Sequence, residues 1–321
     1  MTSYHSLVAG GAGFIGANLV RSLLSRGHLV TVVDNMSRGR ADHLPADRNL
    51  RLMEGDLADR AQTMVALSEA HGHQPVGEVW HLAANSDIPA GVADVDVDFK
   101  DTFQTSLEIV RAMQQLGIPR LHFASSSAIY GDLGDTELHE EIGPLLPISN
   151  YGAMKLASEA VASAAAEASL EQVNIFRFPN VVGTPATHGV LLDFVRKLQA
   201  TPDQLDVLGD GTQKKAYLHV SDLVSAMLCV ANRTSGPKVL PINIGPMDAG
   251  VTVRWIAEQV VARVSPAARM AFGTGGRGWV GDVPRFRYST ARLQAMGWAP
   301  ELGSEAAITR AIDEIARQEG A

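Results

Sequence analysis

The run Leu7-Val8-Ala9-Gly10-Gly11-Ala12-Gly13-Phe14-Ile15-Gly16 decides the fold of this chain. Its first residues are apolar and strand-forming. Its glycines follow a G-x-x-G-x-x-G pattern that opens a helical stretch over Gly16–Ser25. Glycine is needed there because the backbone turns tightly and must come close to a pyrophosphate, which the helix N-terminus meets with N–H groups and a partial positive charge. The next apolar run ends in Val32-Val33-Asp34, about twenty residues beyond the glycines. A carboxylate at that place accepts from the ribose hydroxyls of an adenosine and repels a 2′-phosphate, so the cofactor expected is NAD rather than NADP. Arg38 and Arg40 oppose this, since either could neutralise such a phosphate.

Working outward, continuous apolar runs recur at Ser6–Ala9, Leu29–Val33, Leu50–Glu54, Val79–Leu82, Leu121–Ala124 and Val173–Arg177. Runs without in/out alternation suit strands buried on both faces of a parallel sheet. Helical spacing lies between them, as in Arg60–His71 and Phe103–Leu116, and Val220–Ala231 with Val239–Ile244 reads as one more helix and strand. This alternation predicts an α/β, doubly wound parallel sheet. Residues 184–216 and 246–321 are richer in Gly, Pro and Arg, with shorter periodic runs such as Val253–Val264 and Glu305–Arg317. The expected division is therefore a dinucleotide domain over 1–183 plus 217–245, and a smaller discontinuous substrate domain over 184–216 plus 246–321.

Composition narrows the partners. With 46% hydrophobic and 19% charged residues in 321, the chain has material for a packed core and is not a disordered one. Lys and Arg number 27 against 35 for Asp and Glu, a net charge of −8, so no nucleic-acid partner is expected. Cys229 stands alone, which excludes a disulfide framework and a cysteine-rich metal site. No metal is expected: no His/Asp/Glu grouping has ligand spacing. Residues 1–20 carry no charged side chain, but they lack a basic start and Gly10–Gly13 breaks any apolar run, so no leader and a cytoplasmic location are expected. No apolar run of about eighteen residues or more follows, so no membrane partner is expected either.

Tyr151-Gly152-Ala153-Met154-Lys155 opens an Ala-rich helix with Ser149 or Asn150 as N-cap. Residues four apart share a helical face, and an ammonium beside a phenol favours phenolate. Such a phenolate can take the proton of a sugar hydroxyl as hydride leaves its carbon. Upstream stand Phe123-Ala124-Ser125-Ser126-Ser127-Ala128-Ile129-Tyr130-Gly131, Asp56-Leu57 and His81-Leu82-Ala83-Ala84. Together with the glycine run, these motifs resemble the extended short-chain dehydrogenase/reductases, specifically the nucleotide-sugar epimerases and dehydratases. The resemblance spans essentially the whole chain and implies a Rossmann-like fold, NAD, a UDP-linked sugar substrate and a homodimer through the helices near Phe103–Leu116 and Tyr151–Ala168.

Carried over residue by residue, the resemblance makes Ser126, Tyr151 and Lys155 catalytic. It gives cofactor contacts to Gly10, Gly13, Phe14, Ile15, Gly16, Asp34, Asn35, Ser37, Arg38, Asp56, Leu57, Leu82, Ala83, Ala84, Tyr151, Lys155 and Pro179. Substrate contacts fall to Ser127, Asn180, Lys215, Tyr217 and Arg277. Lys215 stands where the family usually has an arginine, and Trp279 takes the arginine position of the late motif at Gly281-Asp282-Val283. The reaction expected begins with oxidation of the hexose at C4. Ordinary 4,6-dehydratases of the family carry Asp-Glu where this chain has Ser127 and Ala128, so their acid/base pair is missing. Asp87 is a further candidate acid or base, with capping of a backbone N–H as the bland alternative. A likeness to the nucleotide-hexosamine 5,6-dehydratases of the tunicamycin antibiotic pathway tips the expectation to 5,6-elimination of water with hydride returned to C4. The alternatives are 4-epimerisation and an NAD-binding regulator without turnover. His81, His122 and His219 read as satisfied core residues.

Overall fold

The computed structural model describes residues 4–134, 136–275 and 287–321. Arg277, Trp279 and the Gly281-Asp282-Val283 motif lie outside the described residues. The chain divides into two compact units, one of Met1–Gly131, Pro144–Arg177 and Met227–Ile242, the other of Asp132–Gly143, Phe178–Ala226 and Asn243–Ala321. The expected boundary at 183 is met at 178 instead. Residues 132–143 join the second unit because Glu137–Leu138 pairs in parallel with Arg287–Tyr288, and Asn243 Nδ2 donates to the Leu138 carbonyl at 2.9 Å.

The first unit is built on strands β1 (His5–Ala9), β2 (Leu29–Asp34), β3 (Leu50–Glu54), β4 (Val76–His81), β5 (Arg120–Ala124), β6 (Gln172–Arg177) and β7 (Val239–Asn243). Their order across the sheet is β7-β6-β5-β4-β1-β2-β3, and the pairings from β6 to β3 are parallel. Strand order reverses between β1 and β4, and in such sheets ligands bind beyond the carboxyl ends of the strands that flank the reversal. Strands β1, β2, β4, β5 and β6 are buried along nearly their whole length, as continuous apolar runs require. Strand β3 departs from that expectation: it is the edge strand, and Leu52 is 39% exposed.

Helices α1 (Phe14–Ser25), α2 (Arg60–His73), α3 (Ile88–Ala93), α4 (Val95–Asp98), α5 (Thr105–Leu116) and α6 (Asn150–Ala168) complete this unit. Asp59 caps α2 by accepting from Gln62 N at 2.9 Å, and Ser149 caps α6 by accepting from Gly152 N at 3.1 Å. A π-helical turn, Phe99–Gln104, separates α4 from α5, so the helix expected from Phe103 takes regular form only from Thr105. Leu7, Val33, Val79, Ile109, Met113, Phe123 and Val173 meet in one core. A polar seam also crosses the buried strands: Ser6 Oγ and Trp80 Nε1 donate to Glu78 Oε1 at 2.7 and 2.9 Å, and His122 bridges Glu78 Oε2 (3.2 Å) to Asn174 (3.0 Å). His122 is thereby a satisfied core residue. Among the described residues no helix is long and apolar enough to cross a membrane.

The second unit pairs Gln204–Val207 with Arg269–Phe272 and Asn180–Val182 with Tyr217–His219, both in parallel. Helices α7 (Val190–Ala200), α9 (Val253–Val264) and α10 (Ser304–Glu319) close over them through Leu191, Phe194, Val195, Ile256, Val260, Ile308 and Ile312. Helix α8 (Val220–Ala231) carries the chain from this unit back to the first.

Candidate active site

The glycine loop follows β1. Gly10 has φ +76°, and a Cβ there would sit 2.7 Å from Ala83 N, so the turn and the close approach to the segment after β4 both demand glycine. Gly16 packs directly on the Gly10 carbonyl. Gly13 differs. A Cβ there would meet only the Gly10 carbonyl, at an ordinary 3.4 Å, so the space beside it is open. Gly13 is also the N-cap of α1, where no side chain accepts from the first-turn N–H groups. An uncapped helix end beside an open glycine surface is a cradle for a diphosphate, and these residues fit a dinucleotide.

Asp34 stands at the end of β2, almost fully buried, accepting from Ala12 N at 3.0 Å and Met36 N at 2.9 Å. Its oxygens keep acceptor capacity for a ribose. Arg38 donates to Asp87 at 2.9 Å, and Arg40 holds Asp42 through two hydrogen bonds, so both arginines that could have favoured a 2′-phosphate already face carboxylates. Asn35 and Ser37 form an exposed turn through the Asn35 side chain. Asp56 accepts from Ala58 N and pairs with Lys100 at 3.0 Å, and Leu57 is buried behind it. Phe14, Ile15, Leu82, Ala83 and Ala84 are half-buried, and Leu82 N donates to Ala9 O at 2.9 Å, fastening the two loops at the strand-order reversal.

The chemical end of the site follows β5. Ser126 starts a tight helical turn over Ser127–Tyr130, its Oγ accepting from Ala128 N at 3.1 Å. Of the three serines, Ser126 is the one that pulls down on the Tyr151 phenol pKa, whereas Ser125 donates to Glu159 and Ser127 is buried. Lys155, 2% exposed, donates from Nζ to Ala124 O at 2.6 Å; the Nζ lies 4.9 Å from the Phe123 ring centre and 5.7 Å from that of Tyr151.

The electrostatics correct one expectation. Burial pushes Lys155 down to about 7 against the pull of Glu159 and Asp98, and it pushes Tyr151 up to about 12, with Ser126 pulling down and Asp98 pushing up. Lys155 does not bring the phenol toward neutrality in the chain alone. Its hydrogen bond goes to the Ala124 carbonyl, and burial works against its own charge.

Around these residues lie groups that the sequence reading missed. Arg177 grips Glu159 in a buried two-pronged pair, Nε to Oε1 at 3.0 Å and a terminal nitrogen to Oε2 at 2.7 Å, and also donates to Tyr130 at 3.1 Å. Glu159 sits four residues after Lys155 on α6, a spacing that was readable. Asp98 gave no such signal. It ends an alternating acidic run, Asp94-Val95-Asp96-Val97-Asp98, that reads as a solvated face, yet it is completely buried and accepts from Asn85 Nδ2 at 2.8 Å. Asp87 caps α3 by accepting from Ala90 N at 3.1 Å and meets Arg38 with its other oxygen. His81 bonds Ser106 at 2.8 Å, and His219 faces Ser221 and Glu314. No cluster of metal-binding side chains exists among the described residues. In the second unit, the strand register sets Asn180 opposite Tyr217; Pro179 is buried, Asn180 exposed, and Lys215 lies in a short strand against Val251.

Comparison with known proteins places this geometry. A family model described as "NAD dependent epimerase/dehydratase family" matches residues 6–245. The UDP-glucose 4-epimerase of Azospirillum brasilense is 30% identical, over 92% of this chain and 87% of its own. UDP-glucuronic acid decarboxylase 1 of Danio rerio is 26% identical, over 97% of this chain and 72% of its own. The crystal structure of the Thermus thermophilus UDP-glucose 4-epimerase in complex with NAD superposes with a TM-score of 0.83 at 27% identity, covering 97% of this chain and 98% of that one.

Proposed function

Since the chain belongs to the NAD dependent epimerase/dehydratase family, we propose that it is a UDP-hexose 4-epimerase acting through transient oxidation at C4. The observation that carries the outcome is the make-up of the turn that Ser126 opens: where the family's 4,6-dehydratases carry their acid/base pair this chain has Ser127 and Ala128, which leaves Tyr151 as the proton-transfer group of the corner. Elimination of water across C5 and C6 needs a group to take the C5 proton and another to protonate the departing oxygen. Ser127 and Ala128 supply neither, and both oxygens of Asp87 are engaged by Ala90 N and Arg38. Epimerisation needs only the C4 hydroxyl proton to leave and return.

In this reading NAD, when bound, supplies the hydride acceptor and a positive ring charge that favours phenolate. Gly10, Gly13 and the start of α1 hold its diphosphate, and Asp34 holds its adenosine ribose. Tyr151 takes the proton from the 4-hydroxyl and gives it back. Ser126, which acts on the phenol in the chain alone, orients the sugar oxygen. Lys155 anchors the back of the phenol ring from its bond to Ala124. Asn180, Tyr217 and Lys215 are the candidates for the UDP portion, with Lys215 acting as a point charge rather than a guanidinium fork.

Incubation with UDP-glucose, UDP-N-acetylglucosamine and UDP-glucuronic acid, followed by mass analysis, tests the proposal. An isobaric 4-epimer that retains deuterium at C4 and C5 supports it. A product lighter by one water, with C5 deuterium lost to solvent, restores the 5,6-elimination. Absence of any product with all three substrates counts against turnover and favours the regulator.

A further inference from the structure

Two buried carboxylates act on Lys155, and they differ in one respect. Glu159 is already matched: Arg177 grips it through two hydrogen bonds, so the pair carries no net charge. Asp98 has no such cation. Its Oδ1 accepts from the neutral amide of Asn85, and its Oδ2, aimed at Gly91, is buried with no hydrogen-bond partner among the described residues. Burial, with Asp101 adding to it, raises the Asp98 pKa, while the Asn85 bond and the charge of Lys155 oppose the rise; ionised, the carboxylate acts through space on its neighbours.

The neighbours that matter are the catalytic pair. Asp98 ends α4, and the π-helical turn that follows it packs on α6, the helix that carries Tyr151 and Lys155. Asp98 favours the charged form of Lys155 and disfavours the phenolate of Tyr151. The groups facing Lys155 from the packed elements are Tyr151 and Glu159 on α6, Asp98 on α4, and His81 on β4, whose own ionisation burial suppresses.

The same carboxylate is tied to the loop after β4. Asn85, which holds Asp98, also donates to Asp87 O at 2.9 Å and accepts from Asp87 N at 2.8 Å. Gly91 lies so close over Asp98 that a Cβ there would overlap the carboxylate, and Gly91 O accepts from Asn150, the residue before Tyr151, at 2.8 Å.

Resting on the reading of Tyr151 and Lys155 given above, we propose that Asp98 is the counter-charge of the Tyr151–Lys155 pair, a positioning acid that acts through Lys155 and links its charge to the Asn85–Gly91 loop. With Asp98 ionised, Lys155 stays cationic to higher pH and the phenol yields its proton at higher pH. Neutralising Asp98 moves both transitions downward together. Loss of the Glu159 charge, by contrast, bears on Lys155 alone.

The test is Asp98→Asn, which keeps the acceptor for Asn85 and the fit beneath Gly91. Lysine side-chain NMR, with the Lys155 resonance assigned by its loss in Lys155→Met, reads the Lys155 titration directly and needs no substrate. Its midpoint should fall by on the order of one pH unit in Asp98→Asn, and both limbs of the pH–kcat profile should move down with it. Asn85→Ala, which removes the donor that favours ionised Asp98, should shift the Lys155 midpoint the same way by less. This second variant decides the matter if Asp98→Asn does not fold. An unchanged Lys155 midpoint in whichever variant folds overturns the proposal, even if turnover falls. Normal turnover in Tyr151→Phe would overturn the epimerase reading instead, and the lysine titration would still stand on its own.

Discussion

The glycine loop after β1 and the serine turn after β5 lie at the same ends of two strands of one sheet, with β4 between them, yet they are built on opposite principles. The loop is open. Its requirements are backbone requirements, and at Gly13 and the start of α1 it leaves space and N–H groups facing outward. The serine turn is closed. Ser125, Glu159, Arg177 and Tyr130 are linked by hydrogen bonds in the interior, and Lys155, bonded to Ala124 O, feels the charge of Glu159, so the ionisable groups depend on one another. A binding surface can be left to its ligand, whereas the buried corner sets its ionisable groups against one another in the fold and holds the Tyr151 phenol high in the chain alone.

That contrast is most exposed to failure at Tyr151. Replacing it with Phe removes the proton acceptor and leaves the packing, so turnover should fall roughly a hundred- to ten-thousand-fold while NAD and UDP-sugar still bind. Stopped-flow turnover beside calorimetric binding checks both halves; a variant that loses binding as well would mean that the closed corner also serves as a binding surface.

Glu159→Gln probes how far the closed corner is a structural unit. It leaves the Arg177 guanidinium buried without its carboxylate, so unfolding should become easier by about 3–5 kcal/mol, read from the urea midpoint. The polar seam offers a matching control away from the site. Burial alone would raise the pKa of Glu78, but the bond and charge of His122, with Ser6 and Trp80 donating, hold it down at about 2. A carboxylate depressed in the folded state lends stability above its unfolded value, and that stability is lost as pH falls toward the folded value. Wild type should therefore exceed Glu78→Gln by about 3 kcal/mol at neutral pH, the gap closing between pH 4.5 and about 2. Equal slopes for the two proteins in that window would show that the seam carries no such charge.

On the open side, Gly13→Ala and Gly16→Ala should part company. Alanine at 16 meets the Gly10 carbonyl and should lower the melting temperature. Alanine at 13 has room within the protein, so the fold should persist while NAD affinity drops about tenfold, roughly 1.4 kcal/mol. Equal thermal losses in the two variants would mean that the loop is not open in the sense argued.

The same contrast explains what was legible in the sequence. Gly10, Gly13, Asp34, Tyr151 and Lys155 stand in local patterns fixed by backbone geometry or helix spacing, and local patterns survive in a one-dimensional reading; Ser126, one of three adjacent serines, was singled out only by the family resemblance. The strands were readable, β3 at Leu50–Glu54 among them, but the exposure of β3 was not, because edge position depends on strand order rather than on Leu50–Glu54 itself. Asp98 was invisible because burial comes from packing against α6, while its acidic neighbours suggest solvent. Burial also explains why a lysine four residues from a tyrosine predicted a lowered phenol pKa, when the interior raises it.

The smallest effect expected falls at Asp87, on the seam between the two kinds of construction. Asparagine caps a helix about as well as aspartate, so Asp87→Asn keeps the bond from Ala90 N and loses only the half-exposed pair with Arg38. Such a pair contributes about 0.5 kcal/mol, so the melting temperature should barely move, and turnover should fall by less than tenfold. A loss approaching a hundredfold or more is the signature of a general acid or base and would bring the elimination reading back. The pair should matter more for cofactor choice than for chemistry. Arg38 lies four residues beyond Asp34, and once Asp87 no longer holds it, its guanidinium is available to a 2′-phosphate. Discrimination against NADP should therefore narrow a few-fold in Asp87→Asn, measured as the ratio of the two cofactors' dissociation constants. An unchanged ratio would mean that Asp34 alone excludes NADP and that the Arg38–Asp87 pair serves only to fasten the loop after β4.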